Sequence, residues 1–180
     1  MNRNTNTLIA AYLVAIVLAN LTVALAPPTW ISTVVIANAV LLIGLDLSAG
    51  DALHQAWKGR GLVPRFAALI VAGSVLSYLL NGAAGPVAVA SCVAFALSAV
   101  SDRLVYASLG RFSWYIRVNG SNVVSAAVDS AVFLSGLALA GLLPWASVPI
   151  LVAAQWGAKV VGGALWATVL RRRPARDWVL

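Results

Sequence analysis

The sequence contains few charged residues, and acidic ones are the scarcest. Only 9% of its 180 residues are charged, and the five acidic residues are all aspartates. A soluble domain averages about 25% charged residues, whereas this chain is 62% hydrophobic. The composition therefore argues against a soluble fold and predicts an all-α membrane protein. Because no polar stretch is long enough to build an aqueous domain, we expect residues 1–180 to form a single domain.

Cysteine and histidine occur once each, as Cys92 and His54. A lone cysteine cannot form an internal disulfide, and neither residue has partners for a metal site. The sequence also lacks a GxxxxGK[ST] phosphate loop, an HExxH zinc motif and a GxSxG nucleophile motif. We therefore expect no cofactor, no metal and no enzymatic activity. The net charge of +7 is scattered between apolar segments, which argues against nucleic acid as a partner.

Six apolar segments are long enough to cross a bilayer, which takes about 20 residues. Turn-forming pairs such as Pro27-Pro28, Asn81-Gly82 and Asn119-Gly120 separate them. The third segment is short, and residues beyond Asn81 could lengthen it. The sequence thus predicts one bundle of six transmembrane helices, at Leu8–Ala26, Trp30–Leu47, Phe66–Asn81, Pro86–Ser101 with a continuation to about Leu109, Ser121–Leu143 and Ser147–Leu170.

The basic residues predict the orientation of this bundle. All of them except Lys159 lie before the first span, after the last span, or in the loops that follow spans two and four. The other three connections carry no lysine or arginine. Because lysine and arginine concentrate on the cytoplasmic side of membrane proteins, both termini are predicted to be cytoplasmic.

The connection between spans two and three is long for a hairpin. Leu53, Ala56 and Trp57 recur at helical spacing beside the polar Asp51 and His54. This spacing predicts a short amphipathic helix on the cytoplasmic face. A solvated loop is the alternative.

Two opposite charges lie inside predicted spans, Asp129 in span five and Lys159 in span six. An ionisable group at bilayer depth costs about 3 kcal/mol, so it rarely occurs there without a function. Counting about 1.5 Å per residue from the cytoplasmic ends puts both groups, with Asn20 and Asn38, about 12–18 Å into the bilayer. We therefore predict that these four residues share a layer near the midplane.

Other polar residues share helical faces with this layer. Asn122 and Ser125 precede Asp129 by seven and four residues, and Gln155 lies one turn from Lys159. Such polar stripes face protein or water and not lipid. The predicted substrate site comprises Asp129, Lys159, Asn122, Gln155, Asn20, Asn38 and Asp46.

Simpler interpretations stay open for the same residues. Asp129 and Lys159 could form an ion pair that only ties two spans together, and the two asparagines could make interhelical hydrogen bonds. Asp46 could pair with a loop arginine. Tyr12 and Trp156 could stack on a flat ligand or simply pack.

Three stretches resemble the VUT family, the queuosine precursor transporters. They are Leu42–Leu47 followed by Asp51-Ala52-Leu53-His54 and Trp57, Arg117–Asn122 leading to Val128-Asp129-Ser130, and Gln155 with Lys159. The resemblance extends from Tyr12 to Trp166, and its most specific part is Asn119–Ser130.

This resemblance implies import of a 7-deazaguanine, preQ0 or preQ1, across the bacterial inner membrane. The edge of such a ring offers adjacent N–H donors and a carbonyl acceptor, which carboxylate, amide and ammonium groups can match. An alternative from another class is a substrate-binding membrane subunit of a multi-component ATP-driven vitamin or purine importer. A scaffold protein without cargo is a third. The partners expected are the small-molecule cargo, the lipid bilayer, and either a second copy of the chain or an energising protein.

Overall fold

The computed structural model describes residues 3–57 and 61–171, and helices account for nearly all of them. These ranges contain no strand, so the prediction of an all-α protein is confirmed for them. Single 3-10 turns at Pro28–Trp30, Gly82–Ala84 and Trp145–Ser147 lead into α2, α5 and α7. The α-helices in these ranges are α1 (Arg3–Leu25), α2 (Ile31–Asn38), α3 (Gly44–Ala56), α4 (Leu62–Leu80), α5 (Gly85–Ser108), α6 (Trp114–Leu139) and α7 (Val148–Arg171).

Several helical segments are long and apolar enough to cross a membrane. Five segments in the described ranges meet both conditions: Thr5–Leu25, Pro28–Asp46, Leu62–Leu80, Gly82–Ser108 and Gly120–Leu139. Many of their large apolar side chains point outward and stay exposed, as expected where lipid surrounds the bundle. The chain is thus a multi-pass membrane protein. The 24-residue α7 corresponds to the sixth predicted span, and its crossing remains a prediction.

The second span differs from the prediction because its helix does not stop at the end of the apolar run. A π-helical turn, Ala39–Ile43, joins α2 to α3 with helical backbone angles at both junctions. The helix therefore continues from Ile31 to Ala56, and the predicted amphipathic helix is its final part and not a separate element. Leu53 anchors this part in the core, with 0% of its surface exposed. The side chains of Asp51 and His54, and all of Lys58 and Arg60, lie outside the described residues.

Two predicted boundaries were wrong. The third span gains its length at its start, because α4 begins at Leu62 and ends at Leu80. Pro64 fits in its first turn, where a missing N–H breaks no intrahelical bond. The predicted turn at Asn119-Gly120 lies inside α6, which begins at Trp114. Gly120 packs closely there, since a Cβ at this position would lie 2.9 Å from the end of the Leu109 side chain.

Close packing brings the helices around the polar residues together. Helix α1 packs against α4, and the Ile16 side chain lies directly against Gly73. A Cβ on Gly73 would lie 2.7 Å from that side chain. Helices α5 and α6 pack against each other, and α7 packs against α3, α6 and the π turn. These contacts leave α1, span two, α5, α6 and α7 surrounding one internal cavity.

Candidate functional site

The internal cavity contains five of the seven predicted site residues. Its polar lining consists of Asn20, Asn38, Ser91, Asp129, Gln155 and Lys159. The cavity volume is about 50 Å³, which is room for a few waters. Pockets for small organic ligands usually hold about 300–1,000 Å³. The cavity is therefore contracted relative to such pockets, and a bicyclic solute would fit only if the helices parted.

An ion pair between α6 and α7 lies on the cavity wall. The Lys159 ammonium donates to the Asp129 carboxylate and, at 3.0 Å, to the Ser130 hydroxyl. Lys159 is 4% exposed and Asp129 is 26% exposed, so the carboxylate keeps more free surface than the ammonium. Because Ser130 donates its own proton to the Ala126 carbonyl, 2.9 Å away, its oxygen is left to accept from Lys159. The pair is thus held by three groups on two helices.

The two asparagines join α1 to its neighbours. Asn38 donates to the Ala19 carbonyl at 3.2 Å and to the Thr22 hydroxyl at 2.8 Å, which ties span two to α1. Asn20, which is 2% exposed, donates to the buried Ser77 hydroxyl on α4 at 3.1 Å. Each amide therefore makes the interhelical bond that the simpler interpretation anticipated. Both still line the cavity, so a binding role for them remains a prediction.

Gln155 is the buried polar group on this wall with an unmet hydrogen bond. Its side chain is 3% exposed, and its Oε1 atom is fully buried without a hydrogen-bond partner. An unpaired buried polar atom costs about 1–3 kcal/mol. A water or a cargo N–H in the cavity would remove that cost. Gln155 therefore adds an unpaired acceptor to the residues that line the cavity, in addition to the Asp129 carboxylate.

Below the cavity, span two and α7 cross with their backbones in contact. A Cβ on Gly44 would lie 2.7 Å from the Gly162 carbonyl carbon, and a Cβ on Gly162 would collide with the Val40 carbonyl oxygen. The crossing falls at the π turn, Ala39–Ile43. The Trp166 indole on α7 donates to the Leu41 carbonyl in this turn at 2.9 Å. The irregular turn is therefore stabilised by α7.

Two predicted site residues do not line the cavity. Asn122 is exposed on α6, and its carbonyl accepts from the Ser125 hydroxyl of its own helix. Asp46 lies past the π turn, two residues beyond Gly44, on the other side of the glycine crossing from Asn38. The described residues show no pairing of Asp46 with a loop arginine. Arg65 instead lies over the Trp57 ring, 5.2 Å from its centroid.

Phe133 was missed by sequence reasoning, although it lines the cavity one turn beyond Asp129. The i, i+4 spacing would have placed it on the same face of α6, but a phenylalanine in an apolar span gives no other signal. The two aromatics considered as ligand contacts are placed elsewhere. Tyr12 is buried against Phe66, with ring centroids 5.7 Å apart, and the Trp156 indole bonds the Val123 carbonyl at 3.2 Å.

Comparison with known proteins identifies the family but no individual relative. No curated protein and no solved structure matches the chain. One family model matches residues 2–171, and it is described as "Putative vitamin uptake transporter". The match includes every helix that surrounds the cavity. The chain therefore belongs to this vitamin uptake transporter family, Vut_1.

Proposed function

We propose that this protein imports a 7-deazaguanine precursor of queuosine, such as preQ0 or preQ1, through the cavity between α1, span two, α5, α6 and α7. The family indicates uptake of a small molecule across a membrane. The observation that carries the proposal is the grouping of Asp129, Lys159 and the unpartnered Gln155 on one cavity wall. The distribution of lysine and arginine supports cytoplasmic termini in the bacterial inner membrane.

The chemistry of the wall matches a ring with adjacent N–H donors. The Asp129 carboxylate and the Gln155 Oε1 are acceptors, and the Lys159 ammonium is a donor for a ring carbonyl. Hydrogen bonds to charged groups are the stronger ones, so Asp129 would contribute most to affinity. Phe133 offers an aromatic surface for a flat ring. Four residues on two helices thus supply donors, acceptors and a stacking surface.

Cargo binding at this wall requires an exchange of partners. In the contracted cavity, the Lys159 ammonium is paired with the Asp129 carboxylate. Cargo donors that take over the carboxylate free the ammonium to donate to the cargo carbonyl. The wider state then gains contacts that the contracted state lacks, and such differential affinity is what shifts a conformational equilibrium. Opening alternately to each side of the membrane would complete transport.

The proposal is tested by binding and uptake of radiolabelled preQ1 and preQ0. Gln155→Met keeps the side-chain volume and breaks no ion pair, so the protein should stay folded while affinity falls about tenfold, the worth of one hydrogen bond of about 1.4 kcal/mol. Asp129→Asn should lower affinity more and abolish uptake. Ser125→Ala, on the same helix but outside the cavity lining, is the matched control and should bind normally.

Cargo chemistry provides a second test. A deazahypoxanthine lacks the exocyclic amino donors and should bind the wild-type protein more weakly than the deazaguanine, with a smaller difference for Gln155→Met. Normal uptake by Asp129→Asn would refute the site. Cargo binding without transport in liposomes that contain no ATPase would favour the alternative, a substrate-binding subunit of an ATP-driven importer.

A further inference from the structure

A second buried carboxyl group lies beyond the substrate cavity, at the end of the second span. The Oδ1 atom of Asp46 is fully buried and has no hydrogen-bond partner. Asp46 follows the glycine crossing, where span two meets the backbone of α7. The span that contains it, Pro28–Asp46, is apolar enough to cross the membrane. A carboxyl group in such a place is stable when it is paired with a cation or when it is protonated and neutral.

The charges around Asp46 are those of the cavity ion pair. Asp129 on α6 repels it and Lys159 on α7 attracts it, while the neighbouring titratable group on α1 is the buried Tyr12. Lys159 already donates to Asp129. Asp46, Asp129 and Lys159 together are two carboxyl groups and one ammonium group. One negative charge is therefore left over when both carboxyl groups are ionised. A single proton on Asp46 makes the group neutral.

We propose that Asp46 is a proton-binding site that couples import to an inward proton gradient. This inference rests on the proposed transport function. One proton from the outer aqueous phase binds the Asp46 carboxylate, and the same proton leaves to the cytoplasm when the cavity opens inward. With the proton bound, the three groups carry no net charge, so the loaded bundle changes state without moving an uncompensated charge through a low-dielectric interior.

Lys159 links the two sites. The ammonium that leaves Asp129 for the cargo carbonyl is not available to Asp46, so a loaded protein without net charge still requires the proton on Asp46. Proton and cargo therefore bind together on the outer side and leave together when the cavity opens inward.

The test separates coupling from transport. Purified protein in liposomes is assayed for exchange of internal unlabelled against external labelled preQ0, the uncharged precursor, and for net accumulation driven by an acidic exterior. A gradient of about one pH unit should support about tenfold accumulation by the wild-type protein, if one proton moves with each cargo molecule. Asp46→Asn should still exchange preQ0 but should not accumulate it above equilibrium.

Asp102→Asn is the matched control. Asp102 also has a buried Oδ1 without a hydrogen-bond partner, but it lies on α5 and does not line the cavity. It should exchange and accumulate like the wild type. A direct readout of the proton is the pH of a weakly buffered sample on cargo binding, which should change for wild type and Asp102→Asn and stay constant for Asp46→Asn.

Four results would overturn the inference. Gradient-driven accumulation by Asp46→Asn equal to that of the wild type would exclude Asp46 as the proton site. Accumulation that follows a sodium gradient and ignores pH would replace the proton with another cation. Normal exchange by the wild type with no response to either gradient would refute coupling while leaving the transport proposal intact, whereas absence of exchange would refute both.

Discussion

Two of the helix pairs that pack through glycine differ in what the glycine touches. Between α5 and α6, a Cβ on Gly136 would lie 2.7 Å from the Ala90 methyl carbon. Between span two and α7, Gly44 and Gly162 meet backbone atoms. The Ala90 methyl is fixed to its own backbone, so crowding at either contact is relieved only when a helix shifts. The shift needed is larger at the second pair, where a Cβ on Gly162 would lie 2.4 Å from the Val40 carbonyl oxygen. The first pair is thus the looser contact, whereas the second fixes the position of one helix against the other.

The irregular backbone also belongs to the second pair. Helices α5 and α6 are regular over their full lengths, whereas span two has a π turn at the crossing with α7. Turns of this kind occur often at functional sites. Here the turn and the crossing lie between the cavity and Asp46. We infer that span two and α7, which meet at this crossing, set the cavity's shape.

The largest effect should come from breaking the backbone crossing. Gly162→Ala puts a methyl group against the Val40 carbonyl, and overpacking of a tight site costs about 1–3 kcal/mol. We expect a loss near the upper end, about 3 kcal/mol, measured as the free energy of unfolding in an SDS titration of the detergent-solubilised protein. Gly157→Ala on the same helix meets no atom within 4 Å and should not destabilise. Equal losses for both variants would contradict the comparison.

The corresponding change in the looser pair should cost less. Gly136→Ala would put a methyl group 2.7 Å from the Ala90 Cβ and 3.3 Å from its Cα, and we expect about 2 kcal/mol, near the middle of the range for overpacking. The same unfolding titration measures it. The distinction between the two pairs would fail if Gly136→Ala proved as destabilising as Gly162→Ala.

The smallest effect should come from the bond that supports the π turn. Trp166→Phe keeps an aromatic ring but removes the donor to the Leu41 carbonyl. Interhelical hydrogen bonds in a membrane average about 0.6 kcal/mol, so a loss of that size is expected. Trp145→Phe is the control, because Trp145 is 56% exposed at the start of the 3-10 turn before α7. A loss for Trp145→Phe as large as for Trp166→Phe would remove the support for this role.

The sequence predicted the helices better than their ends. Long apolar runs predicted the five segments that meet spanning criteria, because burial in lipid requires apolar length. The turn predicted at Asn119-Gly120 was wrong because a glycine at a close helix contact cannot be distinguished, in the sequence, from a glycine in a turn. The π turn at Ala39–Ile43 had no signature at all: its residues are ordinary apolar ones, and its stability depends on Trp166, which lies far away in the chain.

Estimating how deep each polar residue lies in the membrane was a useful guide to the cavity. It could not predict which way each side chain points around its helix. Counting residues along each span predicted one layer for Asn20, Asn38, Asp129 and Lys159, and the structure places all four around one cavity. Asn122 shares a stripe with Asp129 but lies two turns away, beyond the wall. Phe133 could not be distinguished from other apolar side chains, because rotation of α6 is set by packing against α5 and α7. Whether these residues bind cargo stays a prediction.

The Ser130 hydroxyl has one further consequence. The hydroxyl donates to the Ala126 carbonyl of its own helix and accepts from Lys159. It therefore suits a hydrogen-bond donor at position 159 and has no proton to donate to a residue there that can only accept. Natural variants with an uncharged residue at 159 would have no electrostatic reason to keep a hydroxyl at 130. Positions 130 and 159 should therefore change together during evolution, a correlation that can be sought in related sequences without any experiment on the protein itself.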